Sequence, residues 1–70
     1  MRYAIVIEKA ENNFSAYVPD LPGCVATGKT IAEVEDEIRD AIVSHVAGLR
    51  EDRLSVPLGL SQVEYVEVAA

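Results

Sequence analysis

The N-terminal third of the chain combines short apolar runs with turn residues, which predicts a small β-sheet. Residues 3–9 carry apolar side chains at both odd and even positions, a pattern typical of a central strand. Asn12 and Asn13 tolerate tight-turn geometry, and residues 14–18 predict the second strand of a hairpin. Residues 24–27 predict a short third strand.

A proline-rich loop separates the second and third predicted strands. Pro19 and Pro22 end the strand, and Gly23 then frees the backbone to turn. Such a loop has little conformational entropy, so it can present Asp20 and Leu21 to a partner at a low ordering cost. The residues alone leave two interpretations open: a stiff turn that completes the sheet, or a recognition loop.

From Thr30 the apolar spacing becomes that of an amphipathic helix. Thr30 and Glu33 fit a capping box, in which each side chain bonds the other residue's backbone amide. Acidic residues crowd the first two turns, where the helix dipole favours negative charge. We predict a helix from Ile31 to about Arg50, with this apolar stripe: Ile31, Val34, Ile38, Ala41, Ile42, Val46 and Leu49.

The remainder of the chain predicts an irregular stretch and a last strand. Residues 54–61 include Pro57 and should be irregular, whereas residues 62–68 return to strand composition, with two glutamates that indicate an edge position. The order is β-β-β-α-β, an α+β fold with one helix packed on one face of a small mixed sheet. A right-handed crossover would place the last strand parallel to its neighbour.

The predicted sheet has one face that the single helix does not cover. The first strand is apolar toward both faces. The chain is short enough to form one domain, residues 1–70, and a domain of this size buries only about 60% of the surface that its unfolded chain exposes. We therefore predict a homo-oligomer, a dimer or tetramer, that forms through the sheet or its edge.

Charge narrows the class of partner. Twelve acidic residues against six basic ones leave a net charge of −6, which disfavours direct nucleic-acid binding and favours basic proteins or cations, unless the charge serves only solubility. The chain has no apolar run long enough to span a membrane, and its single cysteine suits a reducing compartment. We expect a cytoplasmic protein without membrane contact.

Candidate catalytic residues are few. His45 borders the apolar stripe of the helix, where a lone histidine usually packs or is simply exposed. Cys24 follows the proline-rich loop without a nearby group in sequence that would strongly activate its thiol, so a small buried side chain is the simpler interpretation.

The carboxylates of Glu8, Asp20, Asp36 and Asp40 raise the alternative of a magnesium-dependent nuclease. A nuclease must also hold a polyanion, and the six basic residues are scattered along the chain. We therefore expect no enzyme activity, no cofactor and no metal site.

The loop and the helix start together resemble the N-terminal domain of the HicB antitoxin family. The resemblance rests on the run Val18-Pro19-Asp20-Leu21-Pro22-Gly23-Cys24, followed by Gly28, Thr30 and Glu33. Two positions depart from the usual pattern: Lys29 stands where an acidic residue is common, and Val34 where alanine is common.

The resemblance implies a partial RNase H-like fold without the nuclease's catalytic acids, and a protein that oligomerises. It implies a type II toxin–antitoxin pair in which this chain neutralises a small basic HicA-type mRNA interferase by occluding its RNA-binding or active face. Larger family members add a DNA-binding segment, and with the last residue at Ala70 we expect no direct contact with operator DNA.

The residues expected to contact the toxin are Asp20, Leu21 and Pro22 in the loop and Glu8 and Glu11 near the hairpin. The alternative function is an orphan oligomeric scaffold or a small-ligand-binding domain that has no toxin partner.

Overall fold

The computed structural model describes residues 1–69 and contains a three-stranded sheet followed by one helix. The strands are β1 (Val6–Lys9), β2 (Phe14–Tyr17) and β3 (Val25–Gly28), and the helix is α1 (Ile31–Glu51). The sheet order is β1-β2-β3, and both neighbouring pairs are antiparallel. The predicted α+β class and the predicted order of the first four elements are confirmed.

The register of the sheet explains where the core forms. Ile7, Ala16 and Ala26 lie side by side across the three strands, on the face that α1 covers. The helix packs chiefly on β3 and β2. The buried apolar side chains come from this face of the sheet, from the β2–β3 loop and from the inner stripe of α1: Ala16, Val18, Leu21, Cys24, Val34, Ile38 and Val46.

The start of α1 follows its sequence signals. The Glu33 amide donates to the Thr30 Oγ1 at 3.0 Å, which is the first bond of the predicted capping box. Gly28 allows the helix to approach β3 closely, because a Cβ at that position would lie 2.6 Å from the backbone nitrogen of Val34.

Two backbone hydrogen bonds in the Schellman arrangement close the C-terminal end of α1. The Leu54 amide donates to the Leu49 carbonyl at 2.8 Å and the Arg53 amide to the Arg50 carbonyl at 3.1 Å. Arg53 has φ 58, the left-handed conformation that this helix ending requires and that glycine usually supplies. The helix prediction, residues 31–50, is correct to within one residue.

The predicted fourth strand is wrong for the single chain. Residues 62–68 form no strand, and the described sheet contains no parallel pair, so it is antiparallel rather than mixed. A strand needs a partner edge as well as strand composition, and residues 62–69, which we call the C-terminal arm, make no backbone hydrogen bond to any part of the chain that the structure describes. All residues of the arm are exposed.

Candidate protein-interaction surface

The β2–β3 loop (residues 18–24) folds back on itself and buries its centre. The Leu21 amide donates to the Val18 carbonyl at 3.1 Å, the Cys24 amide to the Leu21 carbonyl at 3.0 Å, and the Val18 amide to the Cys24 carbonyl at 3.2 Å. The Leu21 side chain is 0% exposed. The expectation that the loop presents Leu21 to a partner is therefore wrong, because this side chain belongs to the core.

Pro22 and Gly23 form the outer part of the same loop. Both are exposed, and Gly23 has φ 85, a conformation in which a residue with a side chain is strained. Pro22 is thus the member of the predicted contact group in this loop whose side chain is freely accessible. Its contact with a partner stays a prediction.

Asp20 makes a contact that the sequence does not reveal. Both its carboxylate oxygens accept hydrogen bonds from Ser61, one from the backbone amide and one from the hydroxyl, each at 2.9 Å. These bonds join the β2–β3 loop to a segment 41 positions further along the chain. Asp20 therefore holds the C-terminal part of the chain in place, whether or not it also meets a partner.

Two further contacts hold the same part of the chain, residues 57–61, which we call the crossing segment. The Tyr3 hydroxyl donates to the Pro57 carbonyl at 2.6 Å. Gly59 lies directly against the Arg2 carbonyl, and a Cβ at this position would collide with that backbone. The crossing segment thus passes across the residues that precede β1, and the C-terminal arm begins beyond it.

Glu8 and Glu11 lie toward the opposite end of the sheet from the β2–β3 loop. Glu8 is in β1 and Glu11 in the following turn, which is closed by a bond of 2.8 Å from the Ala10 amide to the Asn13 carbonyl. Both glutamates are exposed. The five predicted contact residues therefore form two groups at the two ends of the sheet rather than one cluster, and their role in binding stays a prediction.

The face of the sheet opposite α1 joins these two ends. Val6, Tyr17 and Val25 form one row across it, and Tyr17 and Val25 are 40% and 64% exposed. We call this the open sheet face. The apolar residues on both sides of the first strand had predicted that this face would be open in a single chain.

Negative charge is spread over the exterior. Every aspartate and glutamate is exposed except Asp20, which is half-buried. The outward side of α1, which we call the acidic helix face, carries four of them: Glu33, Asp36, Glu37 and Asp40. Asp36 pairs with Arg39 at 3.0 Å, but both side chains are largely exposed, so the pair adds little stability.

The candidate nucleophile is embedded in the core. Cys24 is 3% exposed, and burial raises the pKa of its thiol, which keeps it protonated and poorly nucleophilic. His45 is half-buried beside Val46 on α1. Within residues 1–69 no three histidine, cysteine or carboxylate side chains lie close enough together to hold a metal ion. In the same residues, no helix is sufficiently long and apolar to traverse a bilayer.

Comparison with known proteins assigns this arrangement to a family. Residues 3–69 match the sequence model described as a HicB-like antitoxin of bacterial toxin-antitoxin systems. A chain in a solved structure described as the HicA3 and HicB3 toxin-antitoxin complex is similar with a TM-score of 0.70 and 31% sequence identity. That match covers 79% of this chain and 64% of the other.

Similar sequences occur in a phage, a bacterium and an archaeon. An uncharacterised 14.9 kDa protein of Haemophilus phage HP1 is 35% identical over 94% of this chain and 50% of its own length. A UPF0150 protein of Helicobacter pylori is 44% identical over 71% of this chain and 69% of its own. A UPF0150 protein of Thermoplasma acidophilum is 34% identical over 81% and 84%, respectively.

The chain spans about half the length of the phage relative. The match of the family model nevertheless runs through all four elements, the β2–β3 loop and the crossing segment. The chain belongs to the HicB-like antitoxin family of bacterial toxin–antitoxin systems.

Proposed function

We propose that this protein is a non-catalytic antitoxin that binds a small basic HicA-type mRNA interferase and covers its RNA-binding or active face. The observation that carries the proposal is the structural similarity to a chain of a toxin–antitoxin complex over 79% of this chain. The fold supports a binding role, since the sheet keeps one face open while the helix closes the other.

The charge of the protein supports a basic partner. The chain carries a net charge of −6, and its carboxylates are exposed along α1 and near the hairpin. Opposite charge on two proteins accelerates their encounter, and this acceleration weakens as salt screens the surfaces. A basic ribonuclease is the kind of protein that this surface would attract, and an RNA backbone is the kind of polymer that it would repel.

The proposed contact surface is the open sheet face with Glu8 and Glu11 at one end and Pro22 at the other. These three residues are exposed and flank the apolar row Val6, Tyr17 and Val25. An apolar centre with charged residues around it matches the usual arrangement of a protein interface. Leu21 and Asp20 act on this surface indirectly. Leu21 fills the core beneath it, and Asp20 holds the crossing segment.

Co-expression with a small basic protein encoded beside this chain tests the function. We expect the two to copurify as a stable complex and the RNA cleavage caused by the basic protein to cease. Undiminished toxicity in the presence of the folded chain would contradict the antitoxin role and favour the alternative of an orphan scaffold.

A pair of charge-neutralising variants tests the contact surface. We expect Glu8→Gln with Glu11→Gln to raise the dissociation rate of the toxin complex about tenfold, because removing an interaction from within an interface acts mainly on dissociation. The matched control, Glu37→Gln with Asp40→Asn, removes the same charge from the acidic helix face. This control should slow association and reduce its salt dependence without changing dissociation. Stopped-flow measurements separate the two rates, and equal effects of both pairs would contradict the assignment.

We further propose that the protein acts in the cytoplasm as a homo-oligomer and makes no direct contact with nucleic acid through these residues. The exposed C-terminal arm supports self-association, since it leaves apolar side chains in water.

A further inference from the structure

The C-terminal arm has the composition of a strand but no strand partner. Val66 and Val68 are 80% and 78% exposed, and Tyr65 is 96% exposed. The arm makes no backbone hydrogen bond to the rest of residues 1–69. The radius of gyration of the chain is 13.7 Å, against about 11 Å for a compact domain of this length. The arm therefore leaves both its backbone groups and its apolar side chains in solvent.

The outer edge of β1 has backbone groups that could pair with such a strand. Within residues 1–69 both edge strands, β1 and β3, pair with β2 on one side only, so the outer backbone groups of β1 have no strand to bond. Beside this edge, between the residues that precede β1 and the helix, lies a groove of about 200 Å³ lined by Tyr3, Ile5, Ile38 and Ile42, with Glu35 and Arg39 at its rim.

The groove continues along α1 toward its C-terminal end. This second part, of about 340 Å³, is lined by Tyr3 and by Ile42, Val43 and Val46, with Arg50 beside them. The helix leaves this space because it packs chiefly on β3 and β2 rather than over β1. A strand added to the free edge of β1 would place every second side chain into the groove.

The arm of the same chain is held away from this edge. The Tyr3–Pro57 bond, the close approach of Gly59 to Arg2 and the two Ser61–Asp20 bonds carry the crossing segment over the start of β1. Asp20 belongs to the β2–β3 loop, so Ser61 lies toward the β2 side of β1 and not along its free edge. The arm begins at the next residue: Gln62 and Val63 still face the residues that precede β1, and from Tyr65 onward its apolar side chains are exposed.

We propose that the arm of one chain pairs with the free edge of β1 in a second copy, and that the second copy returns its own arm in the same way. This reciprocal exchange supplies each sheet with its fourth strand from the partner. It joins two elements that are each incomplete in one chain, and a twofold arrangement in which both arms exchange pairs the outer edge of β1 in both copies.

Charge favours a second copy over a basic toxin as the occupant of the groove. Arg39 and Arg50 border it, and they are two of only six basic residues in the chain. In the first part of the groove Glu35 and the Asp36 partner of Arg39 offset the charge of that arginine. In the second part Arg50 is the one charged side chain that the described residues place in the lining, so it would attract Glu64 and Glu67 of an arm and repel a basic partner. The exchange also buries enough surface: Tyr65 alone brings roughly 200 Å², and two arms reach the order of 1,000 Å² that a specific interface requires.

Two aspartate variants of the full chain test the exchange, with the oligomeric state measured by sedimentation equilibrium in the absence of toxin. We expect Val66→Asp, on the arm, to weaken dimerisation at least tenfold. The control is Val25→Asp, at a residue of the same type that is 64% exposed on the open sheet face, and we expect it to leave dimerisation unchanged. Both side chains are exposed in the single chain, so neither variant should prevent folding. The reverse result, or a full chain that stays monomeric at high micromolar concentration, would overturn the proposal.

Nuclear magnetic resonance on a mixture of isotope-labelled and unlabelled chains tests the pairing itself. We expect contacts between the arm of one chain and residues 3–7 of the other. Contacts between these regions within one chain would show instead that the arm forms its own fourth strand, and this would overturn the exchange. These experiments contain no toxin, so their failure would leave the antitoxin proposal untouched, and failure of toxin neutralisation would leave the exchange standing.

Discussion

The β2–β3 loop and the C-terminal arm are both irregular and both contain large apolar side chains, yet their environments are opposite. Leu21 at the centre of the loop is 0% exposed, whereas Tyr65 at the centre of the arm is 96% exposed. The loop satisfies its own backbone through the three bonds among Val18, Leu21 and Cys24. Because its amides and carbonyls have partners, it can enter the core without a desolvation penalty.

The arm has no such internal bonding, so it can leave water only by pairing with another strand. The difference between the two segments is thus one of backbone hydrogen bonds rather than of hydrophobicity. A proline-rich loop with a glycine can close its bonds within seven residues, whereas an extended run of β-branched residues cannot bond to itself. The loop consequently stabilises one chain, and the arm is available to join two.

Leucine truncation in the loop and just before the arm should show the largest contrast. We expect Leu21→Ala to lower the free energy of unfolding by about 2–5 kcal/mol, because it leaves a cavity in the core. The matched change Leu60→Ala, at a side chain 79% exposed beside the arm, should cost less than about 0.5 kcal/mol. Urea denaturation followed by circular dichroism measures both, and equal costs would contradict the burial of the loop.

The rate of thiol labelling should differ between the β2–β3 loop and the arm. We expect Cys24 at pH 8 to react with a thiol reagent at least about 100-fold more slowly in the native chain than in urea, because it is buried and its raised pKa keeps it protonated. A cysteine placed in the arm by Tyr65→Cys, with Cys24→Ala, should react nearly as fast as in urea when the protein is dilute. Rising protection of this arm cysteine with concentration is expected from arm exchange; fast labelling of Cys24 would refute its burial.

Glycine substitution should test the crossing segment that separates the two regions. We expect Gly59→Ala to cost about 1–2 kcal/mol, because the new Cβ would collide with the Arg2 backbone and displace the segment. Gly48→Ala is the control, since a Cβ there meets nothing within 4 Å and replaces a glycine inside a helix. The control should stabilise the chain by about 0.5–1 kcal/mol. Thermal unfolding of both variants checks the opposite signs, and a neutral Gly59→Ala would mean that the segment does not lie where the structure places it.

The smallest effect should come from the bonds between the loop and the crossing segment. We expect Asp20→Ala to lower stability by about 1 kcal/mol and Ser61→Ala by about half as much, because the Ser61 amide still donates. A double-mutant cycle should show coupling between them. If Asp20 also touches the toxin, Asp20→Ala alone will weaken the toxin complex. If Asp20 acts only by holding Ser61, each variant will weaken the complex in proportion to its loss of stability.

The helix and the first three strands were predictable because their signals are local. Thr30 with Glu33 marks a helix start, and the apolar stripe from Ile31 to Leu49 continues to its end, so only the final residue differed. The C-terminal end of the helix was not predictable in detail. A glycine in the left-handed position would have indicated it in the sequence, but Arg53 occupies that position. The resemblance carried by the β2–β3 loop identified the family correctly.

The predicted contact group shows the limit of local signals. Pro22, Glu8 and Glu11 are exposed, but the alternation of residues cannot reveal that Leu21 turns inward or that Asp20 binds Ser61. The bonds of Asp20 span 41 positions, and no local pattern encodes a contact at that distance.

By itself the sequence determined the class of fold, the family, the acidic exterior and the composition of every strand, because periodicity, caps and charge act between near neighbours in the chain. Only the tertiary structure decided which apolar segment is buried and which remains in water. That outcome depends on where each segment finds partners for its backbone: the loop finds them in itself, while the arm is carried past β1 by contacts at Tyr3, Arg2 and Asp20. Burial of a strand is a property of an edge and a partner together, and the edge is created only when the chain folds.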